Sequence, residues 1–259
     1  MNPGRRLARR ARLVLTSLTT AALLAACGGG TSQYEPFVPD QYVAFGDESS
    51  AILADGRRYT VNPVNAVGSI DCTAEPIWSQ AVAAHYGFSF QECNPVNVVE
   101  LKALMRAVPG AKVDDLKVQI DNQLLTSGFA AKSLVTVLVG ANDVLESYQR
   151  YPAVSEADLV ADLAARGERL AAQVNRLIDM GVRVIVATVP DLGLSPYAQA
   201  QKIQFTDTDR AALLTRLTTA LNNRMRVKVL NDGRFVGLVL ADETVQLVVK
   251  VPSAYSITT

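Results

Sequence analysis

Four short apolar, β-branched runs separated by amphipathic stretches constrain this chain more than any other feature. They cover residues 42–46, 135–140, 182–188 and 235–240. None shows the polar–apolar alternation of a half-exposed strand, so each reads as a parallel strand covered on both faces. A weaker strand is expected near Ala107-Val108, just before Gly110. Helical spacing predicts a helix over 75–86, with Trp78, Ala81, Val82 and His85 on one side, and another over 112–125, carrying Val113, Leu116, Ile120 and Leu124. The longest covers 156–180, with Leu159, Leu163, Leu170, Val174 and Leu177 inward, Ser155 as N-cap and Gly181 as stop. A fourth covers 207–226, with Leu213, Leu217 and Leu221. Strand–helix alternation of this kind predicts an α/β fold: a doubly wound three-layer sandwich around a parallel sheet of about five strands with right-handed crossovers. There is no internal repeat and no second core. Residues 49–76 read as a long irregular loop, a class of segment that often carries function.

The first residues read as an export signal rather than as fold. Arg5, Arg6, Arg9, Arg10 and Arg12 form a basic region, and the apolar run 13–25 is too short for a membrane span. It leads into Leu24-Ala25-Ala26-Cys27 and three glycines, the pattern of a bacterial lipobox, which implies cleavage before Cys27 and a lipid on its thiol. An ordinary signal peptide with a chance cysteine is the alternative. Residues 1–27 are thus expected to be a lipoprotein signal with its lipobox cysteine, 28–40 a flexible tether, and 41–259 the folded domain. Gly28, where inner-membrane sorting patterns carry aspartate, points to a lipid-anchored protein of the outer membrane in the bacterial cell envelope. The first 27 residues hold five arginines and no acid, so the remainder has 20 basic residues against 25 acidic, a net −5. That balance argues against nucleic acid as a partner. Cys72 and Cys93 are the other cysteines; an oxidising compartment favours a disulfide between them over two buried thiols.

Chemistry in a doubly wound sheet lies beyond the carboxyl ends of the strands. Three glycine-bearing turns fall there: Gly46-Asp47-Glu48, Pro109-Gly110-Ala111 and Gly140-Ala141-Asn142-Asp143. In order and placement they resemble the first three signature blocks of the SGNH/GDSL family of ester hydrolases. The segment from Val189 to Pro196 and Asn222 in the late helix extend the resemblance over roughly residues 41–256. It implies a flavodoxin-like SGNH fold, no cofactor and no metal. It also implies an oxyanion hole to which Gly110 gives a backbone N–H and Asn142 a side-chain amide, donors whose loss typically costs on the order of 100- to 1000-fold in rate. The substrate it implies is an ester of a small molecule, lipid or glycan.

Two departures bear on activity. Where the family places its nucleophilic serine this chain has Glu48, followed by Ser49 and Ser50. Ser49 or Ser50 would serve only if the turn shifted by a residue, and one helical step turns a side chain about 100°. The family base is a histidine in a C-terminal Asp-x-x-His block; the single histidine here is His85, far upstream, and the domain is expected to lack that block. Without a base a serine hydroxyl stays protonated and unreactive. Three readings follow. One is a lipase, esterase or acetylesterase of the envelope. The second is a non-catalytic SGNH-like ligand-binding lipoprotein in which Glu48 plugs the oxyanion hole by accepting from Gly110 and Asn142. The third is a structural lipoprotein in which Asp47 and Asp143 are helix N-terminal acids, the glycines serve geometry and Asn142 caps a helix.

Overall fold

A computed structural model describes residues 36–257, and the folded unit runs from Val38. The expected export signal, Cys27 and most of the expected tether lie outside the described residues. The five strands are β1 (Gln41–Gly46), β2 (Ala103–Met105), β3 (Ser133–Leu138), β4 (Arg183–Ala187) and β5 (Val236–Val239). They form one parallel sheet in the order β2-β1-β3-β4-β5. The chain winds outward from β1 to β2, then returns to β3 on the other side of β1. That reversal puts the topological switch point between β1 and β3, where an open α/β sheet binds its ligands.

The helices are α1 (Trp78–His85), α2 (Val113–Thr126), α3 (Ala141–Gln149), α4 (Glu156–Asp179), α5 (Pro196–Gln204), α6 (Arg210–Lys228) and α7 (Ala241–Lys250). Ser155 caps α4 by accepting from the Asp158 N–H, and Gly181 takes φ +78° beyond its end. The inward leucines of α4 and α6 are fully buried. Gly167 sets how closely these two helices pack, because a Cβ there would lie 2.2 Å from the Leu221 carbonyl oxygen.

Several sequence expectations need correction. The second strand lies at Ala103–Met105, not at Ala107-Val108. Beyond it the Arg106 and Ala107 N–H groups both donate to the Ala44 oxygen and Val108 donates to Gly46, so pairing with β1 continues in distorted form up to Pro109. Helix α1 starts at Trp78 because Glu75 is left-handed (φ 50°) and Pro76 follows it. Its buried residues are Ser79 and Ala83, whereas Ala81 and His85 face solvent. In α2 Leu124 is exposed and Gln123 buried, since the Gln123 amide donates to Ser127 and to the Gly128 carbonyl while its oxygen accepts from Arg106. β5, expected to be covered, is an edge strand with Gly237, Leu238 and Val239 open to solvent. Helices α5 and α7 are not among the elements expected from the sequence. The Cys72–Cys93 disulfide is formed.

β1 and β3 are in register from Gln41 opposite Ser133 to Gly46 opposite Leu138. At that last pair a Cβ on Gly46 would sit 1.9 Å from the Leu138 carbonyl oxygen, and φ is +132°. No side chain fits there. Gly46→Ala should therefore destabilise the domain by on the order of 3 kcal/mol or more through combined strain and overpacking. Urea unfolding followed by circular dichroism checks this; an unchanged midpoint would show that β1 and β3 tolerate separation.

Candidate functional site

The close approach of β1 and β3 delivers three loops to one place. Gly46 is held on both its polar groups by Gln119 of α2: its N–H donates to Gln119 Oε1 and its carbonyl accepts from Nε2, each at 2.9 Å. The Asp47 N–H then donates to the Leu138 carbonyl at 3.1 Å. The chain makes one tight turn, closed by the Ser50 N–H on the Asp47 carbonyl at 3.0 Å and the Ser49 N–H on Asp47 Oδ1 at 2.9 Å. This is a turn and not the start of a helix, so Asp47 is not a helix N-terminal acid.

The turn sends the Glu48 carboxylate across the ends of the strands. A single oxygen, Oε2, accepts from the Gly110 backbone N–H at 2.9 Å and from Asn142 Nδ2 at 3.0 Å. Asn142 Nδ2 also donates to the Ala111 carbonyl at 3.2 Å, which fixes its amide plane. Asn142 lies in the first turn of α3, whose N-cap position is Gly140; it points at Glu48 and does not cap the helix. Gly110 has φ +80°, a conformation that turns its N–H toward Glu48 without steric penalty only for glycine. Three of the four residues singled out from sequence, Glu48, Gly110 and Asn142, are thus joined by hydrogen bonds. The fourth, Ser49, uses its backbone in the turn, and its hydroxyl meets the Asp47 carboxyl. Ser50 is buried, with its oxygen accepting from Trp78 Nε1 at 3.2 Å and its carbonyl from the Ser79 hydroxyl at 2.9 Å. His85 is exposed on α1, edge-on to Tyr86 at 4.8 Å, and no hydrogen bond links it to these residues.

The electrostatics separate two adjacent carboxyls. Partial burial pushes the Glu48 carboxyl up, but the Gly110 N–H and the Asn142 amide together outweigh it and hold the group below the ordinary range. Glu48 therefore stays ionised. Asp47 is fully buried and its Oδ2 has no hydrogen-bond partner. Burial, opposed by the Ser49 N–H and hydroxyl but reinforced by the charges of Glu48 and Asp143, pushes its carboxyl up to about 6. Asp143 is also buried, and desolvation raises it despite Arg166 at 3.0 Å and the Val113 N–H at 2.9 Å. Arg166 also contacts Glu146 at 2.7 Å and Asp162 at 3.2 Å, tying α3 to α4 behind the site. Sequence reasoning missed Gln119 and Arg166 as site supports, because a lone glutamine or arginine on a helix carries no motif. A second buried network lies at the end of β4. There Asn222 brackets Val189, accepting from its N–H at 3.0 Å and donating to its carbonyl at 2.8 Å, and also donates to Asp242 at 3.1 Å.

Convergent donors at 2.7–3.1 Å from one oxygen are the geometry that stabilises a developing oxyanion. The sequence profile of the GDSL-like lipase/acylhydrolase family matches residues 42–248, and the chain belongs to that family. A crystal structure described as that of a GDSL-like lipase from Parabacteroides merdae ATCC 43184 is similar at 16% identity, over 85% of this chain and 88% of that one, with a TM-score of 0.37. No curated protein matches the sequence.

Asp47 has a pH signature. In the folded protein its carboxyl keeps its proton up to about pH 6, against about 4 in an unfolded chain. Folding takes up a proton between those values, so the stability from this group is complete below pH 4 and lost as pH rises through 6. Asp47→Asn removes the titration. Between pH 4 and pH 7 the wild type should lose roughly 2 kcal/mol relative to this variant. Parallel stability curves for the two proteins across that window would refute the assignment.

Proposed function

We propose that this chain is an envelope protein, anchored by a lipid on Cys27 at the outer membrane, that carries a GDSL-type ester-hydrolase site closed by its own carboxylate and binds ligand without cutting it. The observation that carries this reading is that Glu48 Oε2 accepts from both Gly110 and Asn142. That oxygen stands where the oxyanion of a tetrahedral intermediate would stand, so the ionised side chain is a built-in mimic of it. Attack on an ester carbonyl needs a nucleophile in reach and a base to take its proton. Among the described residues, no histidine is hydrogen-bonded to Ser49 or Ser50: the Ser49 hydroxyl meets the Asp47 carboxyl of its own turn, and the Ser50 oxygen is committed to Trp78.

A second reading, hydrolysis of an acyl or acetyl ester of a small molecule, lipid or glycan, draws support from the same donors. Gly110 and Asn142 remain aimed at one point and are held there by Ala111 and the α3 start. If Glu48 swung away, that point would be open to an ester oxygen.

Turnover of p-nitrophenyl acetate and butyrate by the full-length protein separates the two. The closed-site reading expects no rate above buffer. It also expects Glu48→Ala to lose on the order of 1 kcal/mol of stability, because two donors lose their acceptor, and to regain it in acetate. Wild-type turnover near ordinary enzyme values, about 10 per second, would establish the hydrolase instead.

A further inference from the structure

One cavity is lined by Glu48, and a second shares a residue with it. The first, about 310 Å³, is lined by Glu48, Leu53, Arg57, Tyr59, Asn62 and Pro109 among others. The second, about 270 Å³, is lined by Tyr59, Leu145, Gln149, Leu192, Ser195 and Tyr197. Tyr59 is therefore a wall of both hollows, which are together called the trough. Tyr59 is 76% exposed and Tyr197 44% exposed, values that core packing does not explain. Tyr197 packs against Tyr148 in a T-shaped pair with ring centroids 6.2 Å apart.

The polar groups of the trough divide into fixed and free. The Asn62 amide donates to the Arg58 and Thr60 carbonyls and its oxygen accepts from the Arg58 N–H, so it is a rigid wall. Arg57 is turned by its Nε toward Asp55 at 2.6 Å. Among the described residues, both tyrosine hydroxyls and the Gln149 amide make no hydrogen bond. An acyl chain laid along this trough would press methylenes against Glu48, Arg57 and Gln149 and desolvate them without return. A sugar ring would stack on the tyrosine faces and offer hydroxyls to those same groups. The net −5 of the chain beyond Cys27 disfavours acidic glycans.

We propose that the trough shared by Tyr59 is a binding site for a neutral oligosaccharide, with Tyr59 and Tyr197 as its two stacking platforms. The inference rests on the reading that Glu48 marks the ligand site, and it names the ligand class.

The test is a printed array of neutral and acidic oligosaccharides probed with the full-length protein, followed by calorimetry of the strongest binder and, in parallel, of octanoate. A neutral oligosaccharide should bind. Tyr59→Ala and Tyr197→Ala should each weaken it about tenfold, and Tyr59→Phe should stay close to wild type, since the ring face carries the contact. Absence of binding to every saccharide, binding indifferent to Tyr59→Ala, or Tyr59-dependent binding of octanoate would each overturn the proposal. Ester turnover is not the readout, so a catalytically active protein would overturn the closed-site reading and leave this one standing.

Discussion

The architecture turns on the contact between Gly46 and the Leu138 carbonyl. Two parallel strands run together to their last residues, and at the end one of them has no room for a Cβ. That closeness fixes where the chain must turn. Gln119 grips the Gly46 peptide from α2, and the Asp47 N–H returns to Leu138. The next side chain then has only one direction to go, across the switch point toward Gly110 and Asn142. A general rule about open α/β sheets becomes, in this chain, a set of distances between named atoms.

The charge pattern around that turn follows from which carboxyls have donors. Glu48 has two, and is held ionised. Asp47, one residue earlier, has only the Ser49 N–H and hydroxyl as donors, with one oxygen left unpartnered, and it keeps its proton to higher pH. Asp143 lies between these extremes, with a guanidinium and a backbone N–H against complete burial. The site is thus an anion cradle already occupied by an anion. Behind it, Arg166 is shared among Asp143, Glu146 and Asp162.

Much of this was legible in the sequence, and the failures have physical causes. Buried parallel strands announce themselves by unbroken β-branched runs, so β1, β3 and β4 were located to within a residue or two. β2 was displaced because three residues flanked by irregular pairing carry almost no pattern. β5 reads as buried by composition but lies at a sheet edge, a matter of strand order that a local run does not encode. The α1 face was misjudged because Glu75 and Pro76 shift where the helix begins. The meeting of Glu48, Gly110 and Asn142 followed from their placement at strand ends. The raised titration of Asp47 did not, because burial and a missing partner are properties of packing.

The central claim is that Glu48 occupies the Gly110–Asn142 donor pair as a standing oxyanion mimic. The most direct measurement is the nuclear magnetic resonance shift of the Gly110 amide proton in wild type and in Glu48→Ala. A charge-assisted hydrogen bond to a carboxylate should place that proton well downfield in the wild type, and the substitution should move it upfield together with the Asn142 side-chain amide. A Gly110 amide at an ordinary shift, unmoved by the substitution, would mean that the cradle stands open and that the closed-site account is wrong.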